Sequence, residues 1–230
     1  MDREVRAMYS VLLFDLDGTL TDSKEGIFNC ARYALEKMDR PIPEEGTLLK
    51  FIGPPLHDSY VRYCGLSEAE ADRAVELFRE RYKTVGKFEN APADGMPELC
   101  RRLKERGFRL ALSSSKPEEM CRQICGKFGF SPYLETITGS PSVGNDWEKA
   151  DVIRETMRRL GLTDADRDRI LMVGDRKFDV LGARECGIDC VGVELFGYAA
   201  PGELAEAGAV AVVRSVEELE GFLLSHGRAW

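Results

Sequence analysis

The run Val11-Leu12-Leu13-Phe14 leads directly into Asp15-Leu16-Asp17-Gly18-Thr19. Four apolar residues without a polar break predict a strand buried on both faces, of the kind found inside a parallel sheet. Gly18 marks where that strand gives way to a turn. Open parallel sheets bind ligands just outside the carboxyl ends of their strands, which is where Asp15 and Asp17 would stand. Side chains alternate faces along a strand, but beyond Asp15 the chain is turning, so both carboxylates can converge on one point. This one stretch therefore predicts an architecture and the place of a site. A simple Asp-Gly turn is the alternative reading of the same residues.

Two carboxylates so close together repel, and a cation or a proton must offset one of them. Asp15 can attack an electrophile and become a covalent intermediate, as in aspartyl-phosphate enzymes. Asp17 can carry a proton to or from a leaving group.

The segments that follow fall into two classes. Apolar residues Ile27, Ala31, Ala34, Leu35 and Met38 recur at helical spacing over 24–39, and Pro41 and Pro43 stop that helix. A short segment spans 44–52, and 56–64 predicts another helix. Ser67 with Glu70 forms a capping box that opens a longer helix, carrying Ala71, Ala74, Val75, Phe78, Tyr82 and Val85. No strand pattern occurs between Leu20 and about Ala91, so this block predicts an all-helical cap domain inserted after the first strand. Its hinges are 21–24 and 86–94.

From Asp94 onward strands and helices alternate. Strands are predicted at 109–112, 135–139, 169–173, 189–193 and 209–213, and helices at 97–106, from about Pro117, at 148–160, up to Cys186, and after Ser215 with its Glu218 partner. Strands joined by crossover helices imply a doubly wound parallel α/β sheet. The predicted division is a core of 1–21 with 93–230 and a helical cap of 22–92.

Composition narrows the classes of function. The chain of 230 residues is 43% hydrophobic, enough for a real core. No apolar run reaches the roughly 18 residues a membrane helix needs, and the charged start at 1–6 lacks a secretory leader pattern. A net charge of −8 argues against non-specific nucleic-acid binding. Any attraction for an anionic substrate must then be local, from a metal ion, a few lysines and helix N-termini. The seven cysteines include no zinc-type Cys-x-x-Cys pair and read as small buried hydrophobes in a reducing, cytoplasmic setting. With only His57 and His226, a histidine metal site or a Ser-His-Asp triad is poorly supplied.

Asp-Leu-Asp-Gly-Thr after an apolar strand resembles the first motif of the haloacid dehalogenase superfamily, most of whose members are magnesium-dependent phosphotransferases. The resemblance implies Asp15 as nucleophile and Asp17 as general acid/base. Its second motif, a Ser or Thr at a strand-to-helix junction, matches Ser113-Ser114-Ser115-Lys116-Pro117, with Ser114 at the motif position and Ser115 beside it as phosphate-binding residues. Hydroxyls and free backbone N–H groups at such a junction suit a phosphoryl oxygen. The third motif, a lysine opening a later helix, matches Lys149, although the preceding Gly144-Asn145-Asp146-Trp147 departs from the usual run. The fourth matches Gly174-Asp175 with Asp179 four residues beyond Asp175. By resemblance, magnesium would take the carboxylates of Asp15 and Asp175 and the backbone carbonyl of Asp17, with Asp179 orienting that set.

The four motifs span Asp15 to Asp179 in order, and the likeness to phosphoglycolate phosphatases runs through the tail at 192–198. The expectation is a magnesium-dependent phosphomonoesterase acting on a small, phosphoglycolate-like metabolite through an aspartyl-phosphate, as a monomer or homodimer with no nucleic-acid or membrane partner. A 5′-nucleotidase and a β-phosphoglucomutase-like mutase are the alternatives, and four intact motifs argue against a non-enzymatic binding protein. Asp17 argues against a dehalogenase, which would not need it. In the cap, Lys50, Gly53 and His57, around the Gly53-Pro54-Pro55 loop, are the candidate specificity residues.

Overall fold

The computed structural model describes residues 8–141 and 147–228. Readings that fall elsewhere, the charged start at 1–6 and Gly144, Asn145 and Asp146 before the lysine, lie outside the described residues. The chain divides into two compact units, 1–20 with 92–230 and 21–91. The boundaries drawn from the sequence lie one residue later at each crossing.

The larger unit is built on a six-stranded parallel sheet. Its strands are β1 (Val11–Phe14), β4 (Arg109–Pro117), β5 (Thr136–Ser140), β6 (Ile170–Gly174), β7 (Asp189–Val193) and β8 (Ala211–Val213), in spatial order β5-β4-β1-β6-β7-β8. Two-residue strands β2 (Thr21–Asp22) and β3 (Ala91–Pro92) pair separately where the chain passes between the units. Helices α5 (Met96–Glu105), α6 (Glu118–Lys127) and α10 (Val216–His226) cover one face of the main sheet. Helices α7 (Lys149–Arg159), α8 (Lys177–Glu185) and α9 (Glu203–Ala207) cover the other.

Period-two alternation explains why β1 is apolar at every position. Leu12 and Phe14 join Leu171 and Val173 of β6 in the core under α5, α6 and α10, while Val11 and Leu13 join Ile170 and Met172 in the core under α7 and α8. All eight side chains are fully buried. A polar residue at any of them would lose water without gaining a partner.

The strand before the second motif runs further than its sequence pattern suggests. It continues from Arg109 through the serines to Pro117, with an irregular register against β5 between Ser113 and Pro117. Pro117 is therefore not in the first turn of α6; it precedes it in an extended conformation (φ −52°, ψ 130°), and the helix opens at Glu118. A proline disfavours helical backbone in the residue before it, so Lys116 stays extended and carries the strand forward.

The smaller unit contains no strand beyond those at its ends. It holds α1 (Lys24–Lys37), α2 (Glu45–Leu48), α3 (Leu56–Cys64) and α4 (Glu68–Tyr82), with short 3₁₀ turns at Leu49–Phe51 and Gly86–Phe88. Ser67 and Glu70 make the capping box of α4, with the Ser67 backbone N–H donating to Glu70 Oε2 at 2.9 Å. Ala71, Ala74, Val75, Leu77, Phe78 and Tyr82 are buried along it, whereas Val85, expected on the same stripe, lies beyond the end of the helix and is exposed. Arg81 donates two hydrogen bonds to Glu89, at 2.5 and 2.7 Å, closing the unit at its C-terminal end.

No helix among the described residues is long and apolar enough to cross a membrane. All seven cysteines are free thiols, and six are buried.

Candidate active site

Strand register brings the acidic residues together. Phe14 is paired with Val173, so β1 and β6 end side by side, and the Asp15 N–H donates to the Val173 carbonyl at 2.9 Å. Asp15 and Asp175 therefore leave adjacent strands at the same level. Asp179, in the first turn of α8, reaches the same point. Asp15, Asp175 and Asp179 each offer a carboxylate oxygen within 4.8 Å of the others.

Two glycines permit this approach. Gly18 has φ +84°, in the left-handed region, and a Cβ there would collide with the Asp175 carboxylate and come 2.8 Å from the Tyr198 ring. A Cβ on Gly174 would collide with the side chain of Asp179.

Lys149, at the start of α7 and only 7% exposed, places Nζ 2.5 Å from Asp15 Oδ1 and 2.6 Å from Asp179 Oδ1. Burial works against its charge, but Asp15 and Asp179 outweigh that and hold its proton more firmly than usual. Burial also pushes the Asp15 carboxyl up, to about 6; Lys149 opposes the rise, and Asp179 and Asp17 add to it. Asp175 is pushed well up by burial and then by Asp179 and Asp15. Thr19 Oγ1 donates to Asp175 Oδ1 at 3.3 Å, but Asp175 Oδ2 is buried with no hydrogen-bond partner in the structure.

Asp17 occupies a different position. Its carboxylate lies outside the three-aspartate group and is held by Lys116 Nζ, 2.7 Å from Oδ1 and 2.5 Å from Oδ2. Lys116 was visible in the sequence only as part of the Ser-Lys-Pro run. Its role as a partner of Asp17 depends on β4 continuing past Ser113. Ser114 is 3% exposed, and its Oγ accepts a hydrogen bond from the Lys116 N–H at 3.4 Å; Ser115 is exposed.

The three residues named from the cap sequence all belong to the smaller unit. Lys50 is exposed, with Nζ 5.3 Å from the centroid of the Tyr63 ring. Gly53 has φ +105° in the loop before α3. His57 sits among Asp58, Glu68 and Asp72, its ring nitrogens 3.5 to 3.7 Å from their carboxylates. All three acidic neighbours belong to the same unit.

The donor set suits a hard divalent cation. Four carboxylates (Asp15, Asp17, Asp175, Asp179) face two ammonium groups (Lys116, Lys149), which leaves two negative charges unmatched. Burial first, and then that excess, raises the Asp15 and Asp175 carboxyls, and Asp175 Oδ2, which has no hydrogen-bond partner, is an available ligand atom. Magnesium is commonly bound by one or two carboxylates, with water and substrate phosphate completing its shell.

Comparison with known proteins agrees with this geometry. A family model of haloacid dehalogenase-like hydrolases matches residues 12–193. The chain is 39% identical over 202 residues to a 5′-nucleotidase of Pseudomonas aeruginosa, covering 88% of this chain and 90% of that protein. It is 30% identical over 218 residues to a plasmid-encoded phosphoglycolate phosphatase of Cupriavidus necator, covering 93% of each. A crystal structure of a predicted phosphatase from Clostridium acetobutylicum superposes with a TM-score of 0.85 at 39% identity, over 95% of this chain and 99% of that one.

Proposed function

The chain belongs to the haloacid dehalogenase-like hydrolases and is an enzyme of their phosphatase type; from that premise we propose that it is a magnesium-dependent phosphomonoesterase working through an aspartyl-phosphate. The observation that carries this reading is the convergence of Asp15 with Asp175, Asp179 and Lys149 at the ends of β1 and β6, with Asp17 two residues from Asp15.

Asp15 and Asp175 would hold the ion through their carboxylates and Asp17 through its carbonyl, with Asp179 steadying both Lys149 and the loop that carries Asp175. When bound, the ion supplies positive charge that draws the substrate phosphate to Asp15 and offsets the charge gathering on its oxygens. Asp15 attacks phosphorus, and Asp17 delivers a proton to the leaving alcohol oxygen. Asp17 then takes a proton from water as water attacks the aspartyl-phosphate, which returns Asp15 to its carboxylate form. Lys149 and Ser114 hold the transferring oxygens, and Ser115 lies beside them in the same segment. Lys50, Gly53 and His57 of the smaller unit are the candidates for choosing among substrates. The unpaired cysteines suit the reducing cytoplasm as its location.

The substrate class is a small phosphomonoester, phosphoglycolate-like in the first reading. A nucleoside 5′-monophosphate is the second, favoured by the 39% identity to a 5′-nucleotidase. Phosphate release from a panel holding both classes, with and without magnesium, tests the proposal. Release that requires the metal and disappears in Asp15→Asn is expected. Hydrolysis of a chloroacid with no phosphate released from any member of the panel would overturn it.

A further inference from the structure

Outside the four motifs, Glu203 at the start of α9 accepts three hydrogen bonds. Two come from the loop that presents Asp175 and Asp179: Arg176 Nε donates to Glu203 Oε1 at 2.9 Å, and the Lys177 N–H donates to the same oxygen at 3.0 Å. The third, from the Ala200 N–H to Oε2 at 3.3 Å, fixes Glu203 to its own loop. The Arg176 and Glu203 side chains are only 14% and 11% exposed, so water competes little with their pairing.

The geometry has a consequence for both neighbours of Arg176. The Lys177 N–H is one of the N-terminal donors of α8 that no helical carbonyl can satisfy, and Glu203 supplies the missing acceptor. A carboxylate at that end also opposes the positive end of the helix dipole. The Arg176 N–H meanwhile donates to Asp179 Oδ2 at 3.0 Å. One residue thus has its backbone tied to Asp179, its side chain tied to Glu203, and its peptide neighbour Asp175 in the acidic group. Displacing Arg176 moves all three.

We infer that Glu203 is a positioning residue for the metal: by clamping Arg176 and Lys177 it fixes the loop from Asp175 to Asp179, so that both carboxylates meet Asp15. It touches no reacting atom. Groups that orient metal ligands typically change metal affinity by 10- to 100-fold when lost, without abolishing the site. The inference rests on the acidic group being a metal site, as in the proposed function.

Mn²⁺ binding to the whole chain, followed by electron paramagnetic resonance and calorimetry, tests it. Glu203→Met keeps the length of the side chain and removes both acceptor oxygens; a dissociation constant 10- to 100-fold weaker than that of the unaltered protein is expected. Ser215→Ala, which removes the cap of α10 (Glu218 N–H to Ser215 Oγ, 3.1 Å), serves as a control for general destabilisation and should leave the affinity within twofold. If Glu203→Met does not fold, Arg176→Met removes the donor from the other side of the same clamp and should weaken Mn²⁺ similarly. Affinity within twofold of the unaltered protein in a folded clamp variant overturns this inference alone. Failure of the unaltered protein to bind Mn²⁺ overturns the metal reading, and this inference with it.

Discussion

Asp15 is buried with the carboxylates of Asp175 and Asp179 and the ammonium of Lys149 around it, and that position has opposite effects on reactivity and stability. Its carboxyl is raised to about 6 from an ordinary 3.8, chiefly by burial. In the metal-free protein, the folded state then holds the proton more tightly than the unfolded chain does. The stability contributed in this way is complete below about pH 3.8 and is lost as pH rises through about 6. Asp15→Asn should therefore abolish turnover, and in chelator its Tm relative to the unaltered protein should improve as pH rises from about 4 to about 7. A Tm difference that does not change over that range would contradict the raised Asp15 carboxyl. Gly18→Ala should fail in the other direction. A non-glycine residue at φ +84° costs on the order of 1–2 kcal/mol, and its Cβ would strike Asp175, so stability and metal-dependent activity should fall together in melting and phosphate-release assays. Lys116→Met removes the cation from both oxygens of Asp17, and a loss of about 10²-fold in kcat is expected if Asp17 moves the proton; an unchanged kcat would remove Lys116 from the mechanism.

At the scale of elements, the termini of strands and helices decide what the site contains. The capping boxes and caps were legible in the sequence because they are local: Ser67 with Glu70, and Ser215 with Glu218, act across three residues. Ser215→Ala should cost about 1 kcal/mol, a Tm decrease of about 2–4 °C for a chain of this size by calorimetry. The Glu70 carboxyl is lowered to about 2, first by its bonds to Ser67. Its contribution to α4 is then present above about pH 4.5 and lost as pH falls toward 2, which helicity measured against pH would follow. The end of β4 is not legible in the sequence for the converse reason. Where a strand stops depends on what its neighbour offers, and β5 continues to accompany it, irregularly, as far as Pro117.

For the whole molecule, charge ties folding to ligand. The chain carries a net −8, and two of those unmatched negative charges are gathered at the site near the ends of β1 and β6. A ligand that binds only the folded form stabilises it by about 2.7 kcal/mol at 100 times its dissociation constant. Magnesium should accordingly raise Tm, chelator should reverse the rise, and the rise should shrink as pH falls below about 6 and Asp15 takes up a proton. A Tm indifferent to magnesium at pH 7.5 would argue against the acidic group as its site.

The amino-acid sequence by itself determined the order of the main strands and helices and the parallel sheet, though not α9 or the two-residue strands, and its shared motifs singled out Asp15, Asp17, Ser114, Lys149, Asp175 and Asp179 as candidates. The elements rest on short-range pattern: an uninterrupted apolar strand, a glycine at its end, a helix start beyond it. Only the tertiary structure decided the partnerships: Lys149 between Asp15 and Asp179, Lys116 on Asp17, and Glu203 on Arg176. These pairs lie 27 to 134 residues apart along the chain. What joins them is strand register and the packing of helices on the sheet, and neither leaves a mark at any single position. A buried charge takes its partner from whatever the fold brings within 3 Å, and that is a property of the folded chain rather than of its order of residues.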